Sequence, residues 1–549
     1  GGNTGPQLVT FTDGTSLTPE QLESRATTGT TGADKIYGDQ GTVAQTFDGK
    51  GAPSGSQDYI QGNGGNDTFV YNAGYGHLEI YEASNAGDQS VLQMGTGLTA
   101  ADIAVTSDSW GDLFLTDGTA GDRIELDDVL RGGNTGPQLV TFTDGTSLTQ
   151  AQLIDLATTG TTAADSIYGQ QGKVAQTFDG KGAPFGSQDY VSGNGGNDTF
   201  VYNVGYGRLE IYEASNTGDQ SVLQMGAGLT AADIAVTSDS WGDLFLTDGT
   251  VGDRIELDNV LRGGNSGPQL VTFTDGTSLT QAQMIGLATT GTIAADSIYG
   301  QQGKVAQTFD GKGAPSGSQD YVSGNGGNDT FVYNVGYGHL EIYEASNTGD
   351  QSVLQMGTGL TADNIRIASS GTNPSDVQIY DARAGDIVTL DDLLSSSLDG
   401  PQAIKFVDGS SITRAQIVSD AQSSQAFSAA SGNVTLRSNA TSITVTGDAG
   451  SENLWFQQQN QDLLIEITGS SSVMRVSDWF AGNSSLASIF TTSGQQIEGG
   501  YLKDMVAEMV DWSKGNSAFN AASVSSLPAD DVLQSAVQRD WQETQGYGS

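Results

Sequence analysis

The chain has 549 residues, 77 of them glycine and 10 proline, with 65 acidic against 21 basic side chains and a formal charge of −44. That charge argues against nucleic acid and anionic membrane surfaces as partners. The absence of cysteine removes disulfides, zinc–thiolate centres and thiol catalysis, and no apolar stretch approaches the ~18 residues of a membrane span.

A chain of this length implies several domains or an array. The glycines follow no G-X-Y period and are interleaved with valine, isoleucine, tyrosine and phenylalanine, which excludes collagen and full disorder and points to β structure with many turns. The sequence opens inside a repeat, without methionine or a signal peptide. The expectation is the carboxyl-terminal part of a longer polypeptide.

"GGNTGPQLVTFTDGTSLT" starts at Gly1 and Gly132, and "GGNSGPQLVTFTDGTSLT" at Gly263, a period of 131 residues. The first two copies are nearly identical, so this is a tandem array. The division it predicts is the end of a preceding repeat at 1–28, repeat modules at 29–159, 160–290 and 291–421, a β domain at 422–500 and a helical region at 501–549. The third module diverges after about residue 362, as a capping repeat does.

Each "TFTDGTSLT" reads as strand and turn leading into a short helix. Thr18 is its N-cap, Pro19 its first residue and Gln21 the partner in a capping box; Thr149 with Gln152 and Thr280 with Gln283 repeat the pattern. "DLFLTDGTAGDRIELDDVL", from Asp112, reads as two strands joined by an Asp-Gly turn, with Trp110 and Phe114 expected in the core. Ala421–Gly432 is Ser/Ala-rich, a candidate linker. The segment from Ser442 alternates like strands, and "YLKDMVAEMVDW" places Leu502, Met505, Val506 and Met509 on one helical face.

The first copy also contains a run of half-turns of the form G-G-x-G-x-D-x-U-x. "GTTGADKIY" (29–37) carries Asp34 at the sixth place, "GDQGTVAQTFD" (38–48) lacks that aspartate, and "GKGAPSGSQDYIQ" (49–61) restores it with Asp58. "GNGGNDTFVY", from Gly62, is the best match, with Gly62, Gly64 and Asp67, and recurs letter for letter at Gly193 and Gly324. "YNAGYGHLEIYE" (71–82) closes the run.

Alternate half-turns stack on one side, so Asp34 and Asp58 are expected on one edge and Asp67 on the other. Carboxylates and glycine-loop carbonyls stacked in this way suit a hard cation, Ca²⁺, which takes six to eight oxygens. The predicted metal-binding residues are Asp34, Asp58, Gly62, Gly64 and Asp67, then Asp165, Asp189, Gly193, Gly195 and Asp198, then Asp296, Asp320, Gly324, Gly326 and Asp329.

These motifs resemble the RTX, or haemolysin-type calcium-binding, family of secreted bacterial proteins. The remainder of each copy resembles the associated haemolysin-type calcium-binding-related module, and the end of the chain resembles the ends of large type I-secreted proteins. The resemblance implies an all-β fold of tandem parallel β-roll or β-solenoid modules with short helices in an elongated rod. It also implies calcium-dependent folding outside the cell and an uncleaved carboxyl-terminal signal for the type I secretion apparatus. Gln170 and Gln301 in place of Asp39, and the series His77, Arg208, His339, depart from the family pattern.

No nucleophile elbow, zinc-binding histidine pair or phosphate loop occurs, and a non-enzyme is expected. Near-identical long units favour a structural or adhesive protein of the cell surface or extracellular matrix that self-associates into filaments. The alternative is the calcium-folding export module of an RTX toxin or hydrolase whose active domain lies upstream.

Overall fold

The computed structural model describes residues 5–214, 216–315, 317–381 and 386–543. The opening of the first repeat at residues 1–4 and the tail of the helical region at 544–549 lie outside them. The chain divides into two compact units, one of Gly1–Val236, Asp243–Val260 and Gly264–Met284, the other of Thr237–Gly242, Leu261–Gly263 and Ile285–Ser549.

In the first unit the chain passes alternately between two sheets. One runs Lys35–Tyr37, Gln57–Gln61, His77–Tyr81, Arg123–Leu126, Leu113–Thr116, Ala104–Ser107; the other runs Thr46–Asp48, Thr68–Tyr71, Val91–Met94, Leu139–Thr141, Ser147–Thr149. Successive half-turns pair in parallel, Asp58 opposite Leu78 and Phe47 opposite Phe69. Only the hairpin strands are antiparallel, as at Leu113 opposite Leu126. This is an all-β fold with parallel-rich sheets traced as a β-roll.

Side chains alternate across a strand, so every second residue faces the space between the sheets. Ile36, Ile60, Leu78, Ile80 and Ile124 from one sheet meet Phe47, Phe69, Tyr71, Leu92 and Val140 from the other in one cluster. Phe47 and Phe69 stack with ring centroids 5.4 Å apart. The helix Gln150–Ala157 starts at the Thr149–Gln152 capping box and buries Leu153, Ile154 and Ala157. The same box at Thr18 and Gln21 opens Pro19–Ala26.

Trp110 does not join the core. It is 67% exposed in the turn that Asp108 closes by accepting from the Trp110 and Gly111 amides, at 3.0 and 3.1 Å. Phe114 is half-buried on the outer face, its ring covered by the Arg123 guanidinium at 4.5 Å. Alternation explains this: Leu113 and Leu115 take the inward positions of that strand, leaving Phe114 outside.

In the second unit the third repeat repeats this pattern, and its first sheet extends to eleven strands. The expected linker corrects to structure. Arg414–Ser423 is helical and runs straight into the strand Ser424–Phe427, which is buried throughout and pairs in parallel with Ser442–Val445. Phe427 fills the core there, and the Ser424 and Thr444 hydroxyls bond each other at 3.0 Å. Gly499–Gly515 buries Leu502, Met505, Val506 and Met509, the face expected. Trp455 packs with Trp512 and Phe519, centroids 5.5 and 4.5 Å away.

Candidate metal centre

Gly62–Asp67 is the loop that carries the chain from strand Gln57–Gln61 to strand Thr68–Tyr71. The glycines are dictated by crowding. Gly65 has φ +117°, and a Cβ there would lie 2.6 Å from the Val43 carbonyl oxygen of the loop below. A Cβ on Gly62 would fall inside the contact radius of Glu82 Oε2 and 2.9 Å from Asp67 Oδ2.

Asp67 is fully buried. Its Oδ1 accepts from the Gln45 amide at 2.8 Å, and its own amide donates to Ser90 Oγ at 3.1 Å. Oδ2 has no protein partner. Glu82, also fully buried, follows the strand His77–Tyr81 on the same edge. Its Oε1 accepts from the Ser84 and Ser90 hydroxyls at 3.0 and 3.1 Å. Oε2 has no partner and faces Gly62 and Asp67.

Two buried carboxylates without a cation repel, and burial disfavours their ionised forms. Burial, then Glu82 and Asp88, push Asp67 up to about 7 against the single opposing bond from Gln45. Burial raises Glu82 as well. The second copy brings Asp198 Oδ2 within 2.8 Å of a Gly193 Cβ, with Glu213 alongside, and the third repeats it with Gly324, Asp329 and Glu344. Asp198 and Asp329 are likewise pushed to about 7, by burial first.

Asp58, Asp189 and Asp320 are also buried, and a Cβ on Gly49, Gly180 or Gly311 would lie 2.6 Å from the Oδ2 of each. Asp34 and Asp58 share the opposite edge, where the Asp34 amide donates to Asp58 Oδ1 at 2.9 Å. Asp34 Oδ2 accepts from the Thr30 amide and hydroxyl at 2.6 and 3.0 Å. Asp165 with Asp189 and Asp296 with Asp320 repeat the amide bond at 3.0 Å. Gly64, Gly195 and Gly326 hold φ near +89° beside backbone carbonyls of the neighbouring loop. At the departures from the motif, the Asp39, Gln170 and Gln301 amides all donate to a glutamine six residues on, at 2.6, 2.5 and 2.6 Å. His77 lies on the outer face of its strand, 3.0 Å from Glu125.

Glu82 and Ser90 escaped the sequence reading because neither occupies a glycine–aspartate turn. Nor did the motif flag the outer-face cluster of Asp112, Glu125 and Asp127, whose carboxylate oxygens lie within 4.8 Å of one another and which recurs as Asp243, Glu256 and Asp258. The pairing of Glu79 opposite Glu125 brings a fourth carboxylate to it. Burial, then Glu79 and Asp112, push Asp127 up to about 8.

The Asp67–Glu82 pair suits a hard divalent cation: its donors are all oxygen, two are orphaned and buried, and the facing backbone is a glycine. Bound there, calcium would supply the positive charge that offsets both carboxylates.

No protein-family model and no curated protein matches this chain. Among solved structures, the extracellular lipase LipA from Serratia marcescens is similar at 20% identity and a TM-score of 0.14, over 42% of this chain. The chain spans 37% of that lipase's length. Among the described residues no helix is long and apolar enough to cross a membrane.

Proposed function

We propose that the chain is a secreted calcium-binding repeat protein of the RTX type, folded by Ca²⁺ outside the cell, that serves as a structural or adhesive component of a cell surface or extracellular matrix. The observation that carries this reading is the buried pair of carboxylates facing a glycine, present in all three repeats. Two carboxylates crowded together in a low-dielectric site are costly to ionise without a cation, and the recurrence of this arrangement makes the metal-free fold less favourable at neutral pH. Near-identical repeats support a scaffolding role, because they present the same surface repeatedly and self-associate into filaments without closing. A catalytic role is not proposed: His77 is held by Glu125 and Arg123, and Arg208 stands in its place in the second copy.

Circular dichroism of chelator-stripped protein tests the folding step. The expected result is loss of β structure in chelator and its recovery at roughly 0.1–1 mM calcium, the range of extracellular modules. A β spectrum indifferent to chelator overturns it. Negative-stain imaging and light scattering with and without calcium test the scaffolding step, for which monomers of constant mass at every calcium concentration count against self-assembly.

A further inference from the structure

A serine at one fixed place in the period ends each roll by holding the backbone of whatever follows it. Ser107 closes the hairpin strand Ala104–Ser107; its hydroxyl accepts the Tyr168 amide at 2.9 Å and donates to the Tyr168 carbonyl at 3.2 Å. Ser238 holds Tyr299 at the same two distances. Ser369, one period further on, donates to the Ser424 carbonyl at 3.2 Å and pairs in parallel with Gln425. The strand Ser424–Phe427 thus takes at the third roll the place that Ser166–Tyr168 takes at the first. A backbone bond from the Gln171 amide to the Leu130 carbonyl, 2.7 Å, also seats the second repeat on the first.

The first repeat has the same entry side, and there the same residues are bare. Tyr37, the counterpart of Tyr168, ends the edge strand Lys35–Tyr37 and is 57% exposed, whereas Tyr168 packs against the first repeat's core. Phe11 is 47% exposed where its counterpart Phe142 is 6% exposed. The helix Pro19–Ala26 buries none of its residues, while Gln150–Ala157 lies on the strand Ala104–Ser107 and buries Leu153, Ile154 and Ala157. Leu22 and Ala26 keep the types of Leu153 and Ala157; Glu23 replaces Ile154, the most exposed of the three. What covers Phe142, Leu153 and Tyr168 is the body of a roll, residues 29–131. An unpaired strand edge beside bare apolar side chains is the kind of surface a solenoid leaves for its neighbour.

We propose that this entry side, Phe11, Leu22 and the edge strand Lys35–Tyr37, is a docking face for the body of one further roll with the sequence of residues 29–131, whose own counterpart of Ser107 would clasp Tyr37. A second whole chain does not offer that body, because its three exit serines are already taken by Tyr168, Tyr299 and Ser424. The occupant that fits is a roll placed ahead of Gly1, and the array lengthens on that side only. Whole chains are left with lateral contacts for self-association. This goes beyond the calcium reading and does not rest on it.

Hydrogen exchange of the full chain, compared with a chain carrying a copy of residues 29–131 ahead of Gly1, tests it in calcium-containing buffer. The register is kept, since "GGNTG" follows residue 131 and also opens the chain. In the parent the Tyr37 amide should exchange faster than the Tyr168 amide. In the extended chain it should slow about tenfold or more, the protection one closed hydrogen bond gives. A Ser107→Ala change made in the added copy alone should return Tyr37 to its parental rate and leave Tyr168 as it was. An unchanged Tyr37 rate in the extended chain, whether the added roll folds apart or does not fold, overturns the docking face. In the parent the Tyr37 rate should not vary with protein concentration; slowing as concentration rises would mean that a second whole chain docks there, and overturns growth on one side only. Neither failure touches the calcium reading, which is decided by the chelator experiment.

Discussion

Gly62 and Gly286 are both glycines inside a repeat, yet they answer to different constraints. Gly62 faces two carboxylate oxygens, and Gly62→Ala should cost about 1–3 kcal/mol by overpacking and shift the calcium midpoint of its repeat upward. Gly286 lies exposed in the helix Gln281–Ala288 with nothing within 4 Å of a Cβ, so Gly286→Ala should stabilise by about 0.5–1 kcal/mol. Urea denaturation of both variants in calcium checks the opposite signs. Asp127 adds a pH dependence. Its folded value is about 8 and its unfolded value is near the ordinary ~3.9, so between these the native state holds more protons. Metal-free stability should therefore be greatest at low pH and fall as pH rises from about 4 to about 8. Asp127→Asn should flatten that fall in melts run with chelator, and an unchanged slope counts against it.

Within and between repeats of the first unit, two kinds of contact join the strands. The Phe47–Phe69 stack lies wholly in the core, and Phe69→Ala should cost about 3–5 kcal/mol. At the junction to the second repeat Tyr168 packs against the first repeat's core and its backbone is held by a serine. Ser107 Oγ accepts from the Tyr168 amide at 2.9 Å and donates to the Tyr168 carbonyl at 3.2 Å. Ser107→Ala leaves both groups unpaired and should cost about 1–3 kcal/mol. Hydrogen exchange should show faster exchange at Tyr168, with the Phe69 amide unaffected. The hairpins, the capping boxes and the amphipathic helix at Gly499–Gly515 were legible in the sequence, since each depends on residues within a few positions of one another. The strand at Ser424–Phe427 was not. Its sequence, Ser-Gln-Ala-Phe, shows no alternation of polar and apolar residues, and its partner Ser442–Val445 is what makes it a strand.

For the whole chain the charge of −44 sets the conditions of folding. A few bound calcium ions would neutralise only a small part of it, so general screening and specific binding should be separable. In chelator, raising sodium chloride to ~0.5 M shortens the Debye length to a few ångströms and should raise the thermal midpoint without bringing it to the calcium-loaded value. Equal midpoints in salt and in calcium would mean that screening alone drives folding.

The motif residues, the 131-residue period and the all-β class follow from sequence because glycine conformations, side-chain alternation and turn spacing are properties of short segments. The split of the predicted aspartates into Asp34 with Asp58 and Asp67 alone follows too, from counting residues per half-turn. The partner of Asp67 was decided only by tertiary structure. Glu82 reaches it because two loops 20 residues apart stack in parallel register, with Ser84 and Ser90 turning one carboxylate oxygen away and the other toward Gly62. Trp110 was decided at the same level, its exposure being set by which residues of the hairpin claim the core face. Register and the choice of partner come from packing across the sheets, which the local alternation of side chains does not record.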